Sequence, residues 1–157
     1  MTTIVDLENL YRDIILDHYR RPRNRGALET PPASRFEGFN PFCGDEIELY
    51  LDQVGNDLTD LKLLARGCSI SQASASLMGV AVKGKSVEEV RTTIAEVRSL
   101  LTSPSISAPD AGELSRLGEL SALSGVANFP ARIKCALLAW ETLAEGLGEI
   151  ERATNQT

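Results

Sequence analysis

The stretch that most constrains this chain runs from Ile47 to Arg66, where the hydrophobic pattern has a period of two. Ile47, Leu49 and Leu51 alternate with Glu48, Tyr50 and Asp52, and Leu61, Leu63 and Ala65 alternate with Lys62, Leu64 and Arg66. Alternation of this kind sends one set of side chains to a buried face and the other to solvent. Gly55-Asn56-Asp57 between the two runs is a turn signal, so the stretch reads as an antiparallel hairpin with one covered face. A hairpin returns to where it began, so whatever flanks its two open ends meets at one edge of the sheet. Here those flanks are Cys43-Gly44-Asp45 and Gly67-Cys68.

The chain has 3 cysteines, Cys43, Cys68 and Cys135. An odd count at wide spacing cannot close a disulfide framework, which leaves buried thiols, one reactive thiol or a shared metal site. Free cysteine often packs simply as a small hydrophobe. Asp45 favours the metal, because a Cys-Gly-Asp turn can present a thiolate and a carboxylate to one ion, and two further thiolates complete the tetrahedral set that zinc prefers. Gly beside two of the cysteines, Cys68 opening a helix, and Arg or Lys within three residues of Cys68 and Cys135 all favour thiolate. Cys43, Asp45, Cys68 and Cys135 are therefore the candidate metal ligands. With a divalent ion they carry a charge of about −2, for which Arg66, Arg132 and Lys134 are the available counter-charges.

The remaining segments read mostly as helix. Leu7, Leu10, Tyr11, Ile14, Ile15, His18 and Tyr19 form an amphipathic stripe that Pro22 ends, with His18, the 1 histidine, expected in the core or at its edge and not on a metal. A loop with Pro31 and Pro32 leads to a strand over Arg35–Phe39. After Cys68, a run of small and hydroxyl residues starts a helix that Ser69 or Ser71 can cap and Gly84 closes. Ser86-Val87-Glu88-Glu89 is a capping box opening a helix with Val87, Val90, Ile94, Val97 and Leu101 on its apolar side. Residues 102–110 read as loop, and Leu114, Leu117 and Leu120 mark a short helix. Pro130 suits the first turn of a last helix, with Ile133, Ala136, Leu137, Trp140, Leu143 and Leu147 on its apolar face and Arg132 one turn from Cys135.

At 157 residues and 43% hydrophobic, the chain suits a single domain, 1–157, with one core. A net charge of −6 argues against a nucleic-acid footprint; the run Arg20, Arg21, Arg23 and Arg25 reads as a solvated helix end or a docking patch for an acidic partner. No window is apolar for the length of a membrane span, and the N-terminus, with Asp6 and Glu8, lacks a signal-peptide pattern, so the cytoplasm is the expected compartment.

Several segments together resemble a known family. Leu10-Tyr11-Arg12-Asp13-Ile14-Ile15-Leu16-Asp17-His18-Tyr19, Asn40-Pro41-Phe42-Cys43-Gly44-Asp45, Gly67-Cys68-Ser69-Ile70-Ser71-Gln72 and Pro130-Ala131-Arg132-Ile133-Lys134-Cys135 look like the SufU branch of the U-type (IscU-like) iron-sulfur cluster assembly proteins. The resemblance spans nearly the whole chain. It implies an α+β fold, a small three-stranded antiparallel sheet covered by five or six helices. It also implies zinc on Cys43, Asp45, Cys68 and Cys135. IscU-type relatives carry a histidine where Lys134 stands, and residues 103–126 resemble an insert of the SufU branch. Both features favour a zinc-dependent acceptor and carrier of persulfide sulfur from a cysteine desulfurase, with downstream iron-sulfur assembly proteins as further partners and a monomer or weak homo-oligomer as the state. Cys43 is then the expected sulfur acceptor, with Cys135 second by analogy to IscU-type relatives, and Arg132, as their counter-charge, is the third candidate catalytic residue. A scaffold on which an iron-sulfur cluster is transiently assembled is the alternative, and a binding module with structural zinc is the third reading.

Overall fold

The computed structural model describes residues 4–102 and 117–155 of the chain, with side chains from residue 9 onward. Its order is helix α1 (Ile4–Arg20), strands β1 (Ser34–Asn40), β2 (Asp45–Val54) and β3 (Asp57–Arg66), helices α2 (Ser69–Val82) and α3 (Val87–Thr102), a 3-10 segment (Gly118–Asn128), and helix α4 (Pro130–Asn155). The fold is α+β: three antiparallel strands in the order β1-β2-β3, with the five helical segments around them.

Period two is what builds the hairpin. Glu46 pairs with Arg66, Leu49 with Leu63 and Leu51 with Leu61, and an irregularity at Asp52/Gln53 leads into the turn. Ile47, Leu49, Leu51, Leu58, Leu61 and Leu63 are buried, and α2 and α4 lie across that face. The strand expected over Arg35–Phe39 runs one residue further each way, and Asn40 pairs with Asp45 across β1 and β2. At Gly38 an added Cβ would collide with Thr142 of α4, so glycine is what lets β1 sit this close to the last helix. That close approach carries Asn40, two residues on, toward Cys135.

The stripe on α1 is narrower than its spacing suggests. Among the described side chains, Tyr11, Ile15 and His18 are buried where α1 rests on α2 and the 3-10 segment, but Leu10 is 52% exposed and Tyr19 is exposed. His18 is a core residue. Its Nδ1 meets Ser76 Oγ at 2.8 Å and its Nε2 meets Glu119 Oε2 at 2.6 Å. Ser76 Oγ also accepts the Arg23 N–H at 2.9 Å, so this one hydroxyl ties the histidine to the chain just past α1.

Helix α3 includes Thr102, and its start is capped by Ser86 Oγ, which accepts the Glu89 N–H at 3.2 Å. Residues 103–116, including Leu114 and most of the stretch read as loop and insert, lie outside the described residues. Of the short helix expected at Leu114, Leu117 and Leu120, the described part is helical: Leu117 is α-helical, and from Gly118 the chain continues as a 3-10 segment that buries Leu120, Ala122, Leu123 and Val126 against the core. Helix α4 starts at Pro130 as expected and buries Cys135, Ala136, Ala139, Trp140, Leu143 and Leu147, with Ile133 and Leu137 only partly covered. Among the described residues, no helix is long and apolar enough to cross a membrane.

Candidate metal centre

The hairpin ends meet as the pairing requires. Asp45 is the first residue of β2 and Cys68 follows β3 by two, and Asp45 Oδ1 accepts the Cys68 N–H at 3.0 Å. Between them stands Gly67, at φ +136, where an added Cβ would run into the Asp45 carboxylate. Only glycine fits this conformation and this approach together. Before β2, Gly44 turns the chain at φ +72 and its N–H is accepted by the Asn40 carbonyl at 2.8 Å, which leaves Cys43 exposed on a tight loop.

Helix α4 brings the third cysteine to this edge from above. Cys135 is fully buried and its Sγ lies 3.2 Å from Cys43 Sγ. Ligand atoms of Cys43, Asp45 and Cys135 all fall within 4.8 Å of one another. Two sulfurs and one carboxylate oxygen at this spacing fit a tetrahedral thiophilic ion such as zinc, with one position left to fill.

Cys68 stands apart from that trio. It is the N-cap of α2, in extended conformation, and its Sγ accepts the Ser71 N–H at 3.4 Å. The cap expected of Ser69 or Ser71 is thus supplied by the cysteine itself, because β3 pairs through Arg66 and the turn at Gly67 leaves Cys68 as the last extended residue. Its thiol still faces the cluster. Burial first, then hydrogen bonds to Asp45 and Cys43, and then the neighbouring Cys68, push the Cys135 thiol well above its ordinary range. A cation beside the thiol, either an ion at the site or a side chain, acts in the opposite direction and favours the thiolate.

Arg132 is the side chain placed to help. Electrostatic interaction with Cys68 and a hydrogen bond with Cys135 raise its pKa, which places the guanidinium beside the sulfurs. The other two expected counter-charges point elsewhere. Arg66 lines a groove of about 490 Å³ on the open face of the sheet, with Arg25, Glu46 and Glu48. Lys134 Nζ lies over the Phe42 ring, 4.1 Å from its centroid.

One residue of the site has no counterpart in the sequence reading. Asn40 is buried, and its amide donates to Asp45 Oδ2 at 3.4 Å and toward Cys135 Sγ at 3.9 Å, while its Oδ1 accepts the Phe42 N–H at 3.2 Å. An Asn before Pro at the end of a strand reads as a turn former, and that is half of what it does here.

A family model described as the NifU-like N-terminal domain matches residues 10–149. The chain belongs to that family. It is similar to the zinc-dependent sulfurtransferase SufU of Bacillus subtilis, with 40% identity over 96% of this chain and 98% of the relative. It is also similar to the iron-sulfur cluster assembly scaffold protein IscU of Thermotoga maritima, with 39% identity over 91% of this chain and 96% of the relative. Among solved structures, a Fervidobacterium islandicum protein described as an iron-sulfur cluster assembly scaffold for the SUF system is 30% identical, with a TM-score of 0.70 over 84% of this chain and 92% of that one. The relatives thus include proteins named for sulfur transfer and proteins named for scaffolding.

Proposed function

We propose that the protein is a zinc-dependent acceptor and carrier of persulfide sulfur in cytoplasmic iron-sulfur cluster assembly, receiving that sulfur from a cysteine desulfurase. The observation that carries this reading is the pairing of an exposed thiol, Cys43, with a buried thiol, Cys135, at 3.2 Å beside a buried carboxylate. The donor set fits zinc, which Cys43, Asp45 and Cys135 would hold, with Cys68 as the proposed fourth ligand. Bound there, zinc would keep the thiols ionised while muting them as nucleophiles. The B. subtilis relative named as a zinc-dependent sulfurtransferase supports that choice of metal.

The chain's own residues supply the rest. Cys43, on an exposed loop, is the sulfur a partner can reach. Its thiolate attacks the outer sulfur of the desulfurase persulfide; the donor S–S bond breaks, the desulfurase cysteine leaves as a thiolate, and Cys43 becomes the persulfide. Arg132 lies where it can balance the negative charge of the sulfurs throughout. Residues 103–126, read as a branch-specific insert, belong to the same proposal. Incubation with a cysteine desulfurase and cysteine, followed by mass spectrometry under non-reducing conditions, should show one added sulfur, on the Cys43 peptide. Sulfur on none of the three cysteines would refute the reading.

The scaffold reading keeps one specific observation in its favour. The trio leaves one side open, and a carboxylate ligand such as Asp45 binds iron less tightly than a thiolate, which suits a cluster that must leave. Anaerobic reconstitution with iron and sulfide separates the two readings. A stable chromophore that transfers to an acceptor supports the scaffold, whereas retained zinc and faster desulfurase turnover support sulfur transfer.

A further inference from the structure

Lys134 precedes Cys135 and Phe42 precedes Cys43, and these two neighbours touch each other. The ammonium sits 4.1 Å from the ring centroid although Phe42 is 77% exposed. Burial therefore gives the phenyl ring little reason to lie where it does, and attraction between a cation and the ring face does. The loop that carries Cys43 is held at its base by Asn40, which accepts the Phe42 N–H through its side chain and the Gly44 N–H through its carbonyl. Near its tip it is met by Lys134, which stands on the first turns of α4.

We propose that Phe42 and Lys134 are positioning residues, a clasp that holds the Cys43 thiol against Cys135 and whose opening lets Cys43 leave the site. The helix side of the clasp is the fixed side, because α4 packs on both sheet and helices, and the loop side is the one that moves. A partner group that competes for the ammonium, such as a carboxylate, opens it. An exposed contact of this kind changes the population of the closed loop by roughly two- to fivefold. The inference rests on the sulfur-transfer reading only for the use made of the released thiol; the clasp itself is a property of this chain alone.

The test uses metal-free protein equilibrated with reduced and oxidised glutathione, reading the Cys43–Cys135 disulfide by peptide mass spectrometry. The two protein thiols give two electrons and two protons to oxidised glutathione, forming one protein disulfide and two reduced glutathione molecules. The equilibrium constant thus reports how closely the thiols are held. Phe42→Leu and Lys134→Met are each expected to lower it roughly two- to fivefold, the double variant to fall little further, and Phe42→Trp to hold or raise it. Removing the Lys134 charge also changes thiol acidity, but alike in both backgrounds, so the double-mutant cycle cancels that effect. Thermal unfolding of the reduced variants is expected to match the parent, since both side chains are at the surface.

Additive effects, no effect of either substitution, or a parent that forms no Cys43–Cys135 disulfide would each overturn the clasp. An additive cycle would leave the sulfur-transfer reading standing. A coupled cycle with no sulfur found on any of the three cysteines after exposure to desulfurase would overturn that reading and leave the clasp in place.

Discussion

Asp45 and Cys68 are joined by a hydrogen bond of 3.0 Å from the cysteine N–H to the carboxylate, so the buried acid that faces two other cysteines also fastens the start of β2 to the start of α2. One side chain has two jobs, and substitution can separate them. Asp45→Asn keeps an acceptor for the N–H but loses the charge, so it should retain most of the stability of the metal-free fold and lose stoichiometric metal. Asp45→Ala leaves that N–H unpaired and should cost the metal-free protein about 1–3 kcal/mol as well. Metal analysis of protein purified without added metal, together with urea unfolding, distinguishes the two outcomes.

Gly67 offers a sharper test of how the site is closed. At φ +136, with the Asp45 carboxylate where a Cβ would go, Gly67→Ala is strained in its backbone and pushes the acid away from its position. A loss of about 2 kcal/mol or more is expected. The metal should weaken in parallel. Wild-type stability and metal content in this variant would mean the carboxylate is not held as described.

Asn40 should behave as a support of the ligands and not as a ligand. Its amide reaches both Asp45 and Cys135, and partners of metal ligands typically contribute about 10- to 100-fold to metal affinity. Asn40→Ala is expected to weaken zinc binding within that range, measured by competition with a chelator, without abolishing stoichiometric binding at saturating metal.

His18 separates core from site in the other direction. It is 1% exposed and bridges α1 to Ser76 on α2 and to Glu119 on the 3-10 segment. His18→Ala removes both bonds and leaves a cavity, for an expected loss of about 2–4 kcal/mol. Metal content of the folded variant should be unchanged. A drop in metal at constant folded fraction would contradict the core role and make the histidine a ligand.

How much of this was legible beforehand follows from which signals are local. Strict alternation from Ile47 to Arg66 specified the hairpin, and the hairpin alone carried Asp45 to Cys68, because strand pairing leaves no freedom at the open end. Cys135 joining Cys43 depends on how α4 crosses the sheet, which no local pattern encodes; it was reachable from the three cysteine motifs taken together. Asn40 was missed because its second role needs the Cys135 thiol, distant in sequence, before it can be seen. Arg66 was misplaced as a counter-charge for a related reason: on a strand its direction is fixed by the pleat, and the pleat points it to the open face with Glu48 and not to the sulfurs. The cap on α2 went to Cys68 and not to Ser69 or Ser71, since the residue that caps is decided by where β3 stops pairing. The leucine spacing at Leu117 and Leu120 showed a helix there, but a three-residue step is shared by α and 3-10 helices and does not say which one forms.

The most direct measurement is X-ray absorption at the metal edge of protein purified without added metal. One zinc per chain, with sulfur scatterers at about 2.3 Å and an oxygen scatterer beside them, is the expected result, with the sulfur contribution reduced in Cys43→Ser and again in Cys135→Ser. Protein that carries no metal, or zinc surrounded by nitrogen and oxygen alone, would contradict the account.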